Sequence, residues 1–146
     1  VTVSGPYAQW AVAQNLPVGL DGPLHDADAD GSTNLEEWAF LSVPTSGGDM
    51  GKPTPSVSPT GDPTGRIHFQ ALKITPGLDF IVQASESLVS TEWTDIWNSA
   101  TDGYASPRVT VDQDNADHRV LTVTDVETIA TGATRRFLRV KLLYTP

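Results

Sequence analysis

The chain has 146 residues and no cysteine, so it is long enough to bury a hydrophobic core and contains no disulfide framework. Its formal net charge of −9 disfavours nucleic acid and anionic membranes as partners, because both bind basic surfaces. No apolar run approaches the roughly 20 residues of a membrane span, so no membrane span is predicted.

The first predicted unit, residues 1–43, consists of two short helices. The segment YAQWAVAQNL (residues 7–16) has helical spacing, and LEEWAFLS (residues 35–42) ends before Pro44, because the residue preceding a proline disfavours helix. Proline and glycine between the two segments break any continuous helix. The first 50 residues hold seven acidic residues and no Lys or Arg, so this unit needs a cation from elsewhere to neutralise it.

Residues 44–65 are rich in Pro, Gly, Ser and Thr and are predicted to form a partly extended linker. Residues 66–146 alternate strand-like segments with turn-like ones. They predict a mainly β fold, an antiparallel β-sandwich of immunoglobulin or fibronectin type, with a small barrel as second choice. The six predicted strands are RIHFQALKI, LDFIVQASES, EWTDIW, RVTVDQD, RVLTVTDV and RFLRVKLLY. In the last of these, Leu138 and Val140 share one face, and Arg139 and Lys141 share the other.

The stretch HDADADGSTNLEEW (residues 25–38) has the spacing of a calcium-binding EF-hand loop. Counting from Asp26, it fills the acidic positions 1, 3 and 5, the glycine position 6 and the glutamate position 12. Ca²⁺ takes six to eight oxygen ligands, whereas Mg²⁺ demands a more rigid site, so calcium is the predicted cofactor. The predicted ligands are the side chains of Asp26, Asp28, Asp30, Asn34 and Glu37 and the backbone carbonyl of Ser32.

A second interpretation of this stretch is a solvated acidic turn before a helix, with Asp30 or Ser32 as the N-cap and Glu36 in the first turn. The complete loop pattern favours the metal site. Position 8 is Thr33 instead of an aliphatic residue, and prolines and glycines separate the first helix from Asp26, so we expect a single unpaired loop. Such a loop is not expected to open as a sensor, and a weak, extracellular-type Kd of ~10⁻⁴–10⁻³ M is predicted.

The segments YAQWAVAQNLP, HDADADGSTNLEEWAF, LDFIVQASESLVSTEWTDI and RRFLRVKL resemble the C-terminal region of large secreted proteins of Verrucomicrobia and related bacteria. The resemblance extends over nearly the whole chain. It implies an accessory region of a secreted or surface protein, without catalysis of its own. The loop also resembles one dockerin or thrombospondin type 3 repeat; a dockerin normally has two such loops, and this sequence has one.

Aromatic residues in the predicted sandwich suggest a possible ligand site. Trp93 and Trp97 share a predicted strand face with Asp95 between them, and Tyr104 follows in a turn. Such aromatics stack on sugars when exposed, but a tryptophan in a sandwich strand more often fills the core. The acidic stretch at residues 112–117 could be a second cation site, although it lacks the glycine and closing acid, so a polar hairpin turn is favoured.

The sequence contains no Gly-x-Ser-x-Gly elbow, no cysteine nucleophile and no two histidines at metal-binding spacing, so an enzyme is not predicted. The predicted function is a non-catalytic, extracellular or cell-surface interaction or anchoring module that calcium stabilises. Two alternatives stay open: a carbohydrate-binding module for polysaccharide, and a self-assembling structural subunit of the cell surface. The chain is interpreted as part of a larger secreted protein.

Overall fold

The structure is a computed structural model that describes residues 5–47, 51–58, 63–74, 77–89, 92–128 and 136–146. Within these ranges the chain forms two short helices and seven strands. The helices are α1 (Pro6–Ala13) and α2 (Asn34–Phe40). The strands are β1 (Thr54–Val57), β2 (Thr64–Leu72), β3 (Leu78–Ser85), β4 (Thr94–Asn98), β5 (Val109–Asp114), β6 (His118–Thr128) and β7 (Phe137–Tyr144). No described helix has the length and apolar character needed to cross a membrane.

The strands form two antiparallel sheets, which confirms the predicted mainly β fold. One sheet has the order β1-β2-β6-β5 and the other has the order β4-β3-β7. Their inner faces meet in one core, where the rings of Phe69 on β2 and Phe80 on β3 lie 5.9 Å apart. The architecture is therefore that of a β-sandwich, and β2 to β7 correspond to the six strands predicted from the sequence.

Strand β1 lies inside the segment that was predicted to be a linker. Its four residues are all exposed, and it pairs with β2 so that Pro55 lies opposite Ile67. Proline is tolerated in a strand at the edge of a sheet, where no further neighbour requires its missing N–H. A short, exposed and proline-containing strand has no alternation of buried and exposed residues, so no sequence pattern signals it.

The alternation predicted for the last strand is present in β7. Leu138 and Val140 pack against the core, whereas Arg139 and Lys141 are exposed. The reason is the pleat, which points successive side chains to opposite faces of the sheet. One face of β7 therefore contributes to the core and the other carries positive charge.

The two sheets are also joined by a buried ion pair. Arg136, immediately before β7, donates from Nε to Asp125 Oδ2 and from Nη2 to Asp125 Oδ1, both at 2.8 Å. The Asp125 side chain is fully buried, and its Oδ1 also accepts a hydrogen bond from the backbone N–H of Val126 at 2.7 Å. These hydrogen bonds raise the pKa of Arg136. A bidentate pair of this kind fixes the start of β7 against β6.

The helical segment, residues 5–47, packs on the sandwich and shares its core. In α2, Trp38 and Phe40 are each only 4% exposed. The ring of Phe40 lies 6.0 Å from that of Phe69 and 6.1 Å from that of Phe80, while Trp38 meets Tyr144 edge to face at 5.3 Å. Burying one such side chain contributes roughly 1.5–3 kcal/mol. This packing holds α2, and the acidic loop before it, against the sandwich.

Candidate metal centre

The acidic loop brings three carboxylates together. Asp26, Asp28 and Asp30 each place one carboxylate oxygen within 4.8 Å of the other two. The oxygens of one cation's ligand shell lie at such separations, because two ligands at ~2.4 Å from a calcium ion are at most about 4.8 Å apart. In the part of the chain that the structure describes, this is the only group of three or more His, Cys, Asp or Glu side chains at such distances.

Backbone hydrogen bonds to Asp26 fold the loop around this carboxylate. Asp26 Oδ2 accepts from the N–H of Gly31 at 2.8 Å, and Asp26 Oδ1 accepts from the N–H of Asp30 at 3.2 Å. The N–H of Gly31 is the main reason that the pKa of Asp26 is lowered, since it stabilises the ionised form. Gly31 has φ +92°, a left-handed conformation that glycine adopts without strain. The turn therefore favours the ionised form of Asp26.

The exit of the loop is tied to its entrance by α2. The N–H of Asn34 donates to the carbonyl of His25 at 2.7 Å, and the N–H of Leu35 donates to the carbonyl of Pro23 at 2.9 Å. These bonds satisfy two of the donors that the first turn of a helix leaves without an intrahelical partner. The Asn34 amide group also donates to the carbonyls of Leu20 and Gly22, at 2.7 and 2.9 Å. The residues before and after the acidic triplet are thus held side by side.

The N-cap of α2 is Thr33, which differs from the alternative N-caps Asp30 and Ser32 considered from the sequence. Thr33 Oγ1 accepts from the N–H of Glu36, and Glu36 Oε2 accepts from the N–H of Thr33 at 2.7 Å. This reciprocal pair is a capping box, and the spacing T-x-x-E could have revealed it in the sequence. Thr33 is thus the cap of α2, and the carboxylate of Asp30 lies with those of Asp26 and Asp28.

The remaining predicted ligands lie around the triplet but outside it. Ser32 is 1% exposed, and Asn34 and Glu37 are fully buried. Glu37 does not join the 4.8 Å group; it lies in α2 within electrostatic reach of the Tyr7 hydroxyl, whose pKa burial raises to about 12. The structure therefore brings together three of the four predicted acidic ligands.

Several oxygens in and beside the loop are buried without a hydrogen bond from the described part of the chain. They include Asp28 Oδ2, Asp30 Oδ2 and Asn34 Oδ1. Buried oxygens nearly always have a partner, and an ion or water can take that place. Lys52 lies beside the loop: its Nζ is 3.7 Å from the position that a Cβ on Gly31 would occupy. The donor set is one that could hold a hard metal ion.

The aromatic residues do not form the exposed pair that was considered from the sequence. A register irregularity in the β3–β4 pairing allows Ile96 and Trp97 both to be buried, so Trp97 and Trp93 do not share an exposed face. Trp97 is fully buried, its Nε1 donates to the Gly103 carbonyl at 2.9 Å, and its ring meets that of Tyr104 at 5.6 Å.

The other two candidate aromatics are partly exposed and lie under arginines. The guanidinium of Arg139 lies 4.0 Å from the centre of the Trp93 ring, and that of Arg119 lies 4.0 Å from the centre of the Tyr104 ring. Burial raises the pKa of the Tyr104 hydroxyl. Each of these ring faces is therefore occupied by a cation of the same chain.

The acidic stretch at residues 112–117 forms the hairpin between β5 and β6, as the polar-turn interpretation predicts. Asp114 pairs with Lys73, which lowers its pKa, and lies 3.7 Å from Arg119. Asp117 Oδ1 lies 2.7 Å from His118 Nδ1, and this hydrogen bond lowers the pKa of Asp117. Lys73 and Arg119 of the same chain thus lie against the carboxylate of Asp114.

The fold and the loop define a mainly β protein with two antiparallel sheets and an acidic triplet whose spacing could hold a metal ion. Comparison with protein-family models, with curated proteins and with solved structures finds no match to this chain.

Proposed function

We propose that the chain is a non-catalytic, calcium-stabilised interaction or anchoring module of a larger secreted or cell-surface protein. One observation carries the proposal: the oxygens of Asp26, Asp28 and Asp30 meet within 4.8 Å in a loop with EF-hand spacing. Three negative charges at that distance repel one another, and a bound divalent cation would remove the repulsion. The role of calcium in this proposal is structural.

The proposed ligand set extends beyond the triplet. Ser32 through its carbonyl, Asn34 directly or through water, and Glu37 through its carboxylate would complete the six to eight oxygens that Ca²⁺ takes. All three residues are buried beside the loop. An EF-hand-like loop of this kind with a Kd of ~10⁻⁴–10⁻³ M is filled where calcium is plentiful, which supports an extracellular location.

We also propose that the sandwich is of immunoglobulin or fibronectin type. The order β1-β2-β6-β5 corresponds to the order A-B-E-D of an immunoglobulin sheet when the strands are lettered along the chain. The order β4-β3-β7 then corresponds to C′-C-F in the facing sheet. Sandwiches of this kind recur in cell-surface proteins, which is consistent with an anchoring role but by itself identifies no partner.

Two alternative functions receive less support. Carbohydrate binding through a flat aromatic pair needs two exposed rings, but Trp97 is fully buried and Arg139 lies over Trp93. Self-assembly through the edges of the sheets would suit a structural subunit of the cell surface, but pairing β7 with β7 of a second copy would bring Arg139 and Lys141 close to one another. We therefore prefer the interaction module.

Thermal unfolding with and without calcium tests this proposal. At about 10 mM Ca²⁺, ten to a hundred times the expected Kd, binding adds about 1.4–2.7 kcal/mol to the free energy of unfolding. The melting temperature should rise by roughly 3–10 °C. Asp30→Asn should lose most of this increase. Asp21→Asn, an exposed acid of the same segment outside the triplet, should keep it. Equal melting temperatures with Ca²⁺ and with chelator would refute a structural role for calcium.

A further inference from the structure

Two adjoining cavities run between β7 and the segment that carries the acidic loop. One has a volume of about 330 Å³ and the other of about 430 Å³. Both are lined by Glu36 of α2 and by Arg139 and Val140 of β7. We call the combined space the β7 groove. It follows β7 over residues 138–142, with the acidic loop and α2 as its opposite wall.

The β7 groove lies at the edge of a sheet. Consecutive residues of β7 line it, whereas a cavity on one face of a strand would be lined by alternate residues. β7 pairs with β3 on one side and has no strand on its other side among the described residues. Within the same residues, no backbone hydrogen bond joins β7 to the helical segment. The outward N–H and C=O groups of alternate β7 residues are thus available to a further strand.

The walls of the groove combine apolar contact with positive charge. Phe40 and Ile67 belong to the core and reach the groove from within, and Leu24 and Leu35 line its opposite wall. Two exposed lysines, Lys52 and Lys141, lie along it. Arg139 also lines both cavities, but its guanidinium is directed towards β3, where its Nε donates to Gln83 Oε1 at 2.9 Å and the group lies over the Trp93 ring.

One acidic side chain, that of Glu36, also lines the groove. The carboxylate of Glu36 accepts a hydrogen bond from the N–H of Thr33 at 2.7 Å and belongs to the capping box of α2. Because Lys52 and Lys141 outnumber this one carboxylate, the lining of the groove is net positive in a chain whose net charge is −9. An occupant with negative charge fits it best.

We propose that the β7 groove takes an extended, acidic peptide segment of a partner protein, which adds to the free edge of β7 as a further strand. This inference rests on the proposed interaction function and names the partner's chemistry. A strand lies about 4.8 Å from its neighbour, and five residues span about 17 Å, so a peptide alongside residues 138–142 would occupy both cavities. Backbone hydrogen bonds provide affinity, and acidic side chains meet Lys52 and Lys141.

The acidic loop gives this recognition a calcium dependence. Glu36 and Leu35 of the groove wall follow the loop directly in α2, and Gly31 of the loop lines one of the two cavities. Calcium bound to the loop would hold this wall at a fixed distance from β7. Without calcium the carboxylates of the loop would repel one another, and we expect the peptide to bind more weakly.

Amide resonances of the whole ¹⁵N-labelled chain test the proposal, with the synthetic decapeptide Glu-Val-Glu-Thr-Glu-Val-Glu-Thr-Glu-Val as the probe. In the presence of Ca²⁺ we expect the probe to shift resonances of β7 and to slow hydrogen exchange at alternate β7 amides. The same peptide with every Glu replaced by Lys should not bind. Lys141→Glu should weaken binding roughly fivefold, about the effect of one surface ion pair. Lys73→Glu, outside both cavities, should leave binding unchanged.

Separate readouts distinguish failure of this inference from failure of the proposed function. The same sample reports calcium binding through the amides of residues 26–37. If calcium binds and the probe leaves β7 exchange unchanged at millimolar concentration, strand addition is wrong and the calcium-stabilised module stands. Equal binding of the Glu and Lys peptides would also overturn the inference. So would resonance shifts confined to residues outside the groove. Dimer formation through β7, detected by sedimentation, would identify a second copy as the occupant and refute an acidic partner peptide.

Discussion

Replacing Phe40 by alanine should destabilise the whole chain, because this side chain joins the helical segment to the sandwich. Phe40 is 4% exposed, and its ring lies 6.0 Å from that of Phe69 and 6.1 Å from that of Phe80. Removing a buried phenylalanine side chain costs about 3–5 kcal/mol. For a chain of this size, each kcal/mol lowers the melting temperature by roughly 2–4 °C. We therefore expect a decrease of roughly 6–20 °C.

Thermal unfolding followed by near-ultraviolet circular dichroism measures this change, because buried tryptophans report on both parts of the chain. Trp38 reports on the helical segment and Trp97 on the sandwich. Val18→Ala is the control, since Val18 is 99% exposed and its truncation should change the melting temperature little. If Phe40→Ala melts like the native chain, or if the sandwich keeps its melting temperature while the helices unfold alone, the reasoning from a shared core is refuted.

Three further predictions concern individual polar contacts. Asp125→Ala should cost about 1.5–3 kcal/mol in urea unfolding, because it removes both short hydrogen bonds of the Arg136 guanidinium and leaves only Glu127, at 3.6 Å, as its acidic partner. A loss under about 1 kcal/mol would contradict the buried pair. Thr33→Ala should cost about 1 kcal/mol by the same assay through loss of the N-cap, and Thr33→Ser, which keeps the hydroxyl, should restore most of it. Lys73 lowers the pKa of Asp114. This pair therefore stabilises the folded chain fully at pH values above the ordinary aspartate pKa, and the stabilisation is lost as the pH falls through the lowered pKa of Asp114. The melting temperature of Asp114→Asn should therefore be slightly lower than that of the native chain near pH 6, and the two should converge as the pH falls below the ordinary aspartate pKa of about 3.9. A constant difference would argue against the pair.

Features that depend on local spacing could be predicted from the sequence. The alternation of Leu138 and Val140 with Arg139 and Lys141 follows from the pleat alone, and β7 has it. The acidic residues of the loop have a spacing that folds onto one centre, and the structure brings three of them together. In both cases, residues close in sequence determine the geometry.

Features that depend on distant contacts could not be predicted. The register irregularity that buries Ile96 beside Trp97 arises from pairing with β3, so the sequence of β4 alone suggested a shared face for Trp93 and Trp97. Strand β1 is a strand through its pairing with β2, which no pattern within residues 54–57 indicates. The position of Glu37 depends on how α2 packs on the sandwich, and no local spacing encodes that packing.

The central claim is that the loop around the three aspartates binds one calcium ion. Titration of Ca²⁺ into the ¹⁵N-labelled chain, freed of metal by a chelator, measures this directly through the amide resonances. We predict saturating shifts at residues 26–37, including the N–H of Gly31 that donates to Asp26, with one ion per chain and a Kd of ~10⁻⁴–10⁻³ M. The absence of shifts in this loop up to about 10 mM Ca²⁺, ten times the weakest expected Kd, would contradict the claim.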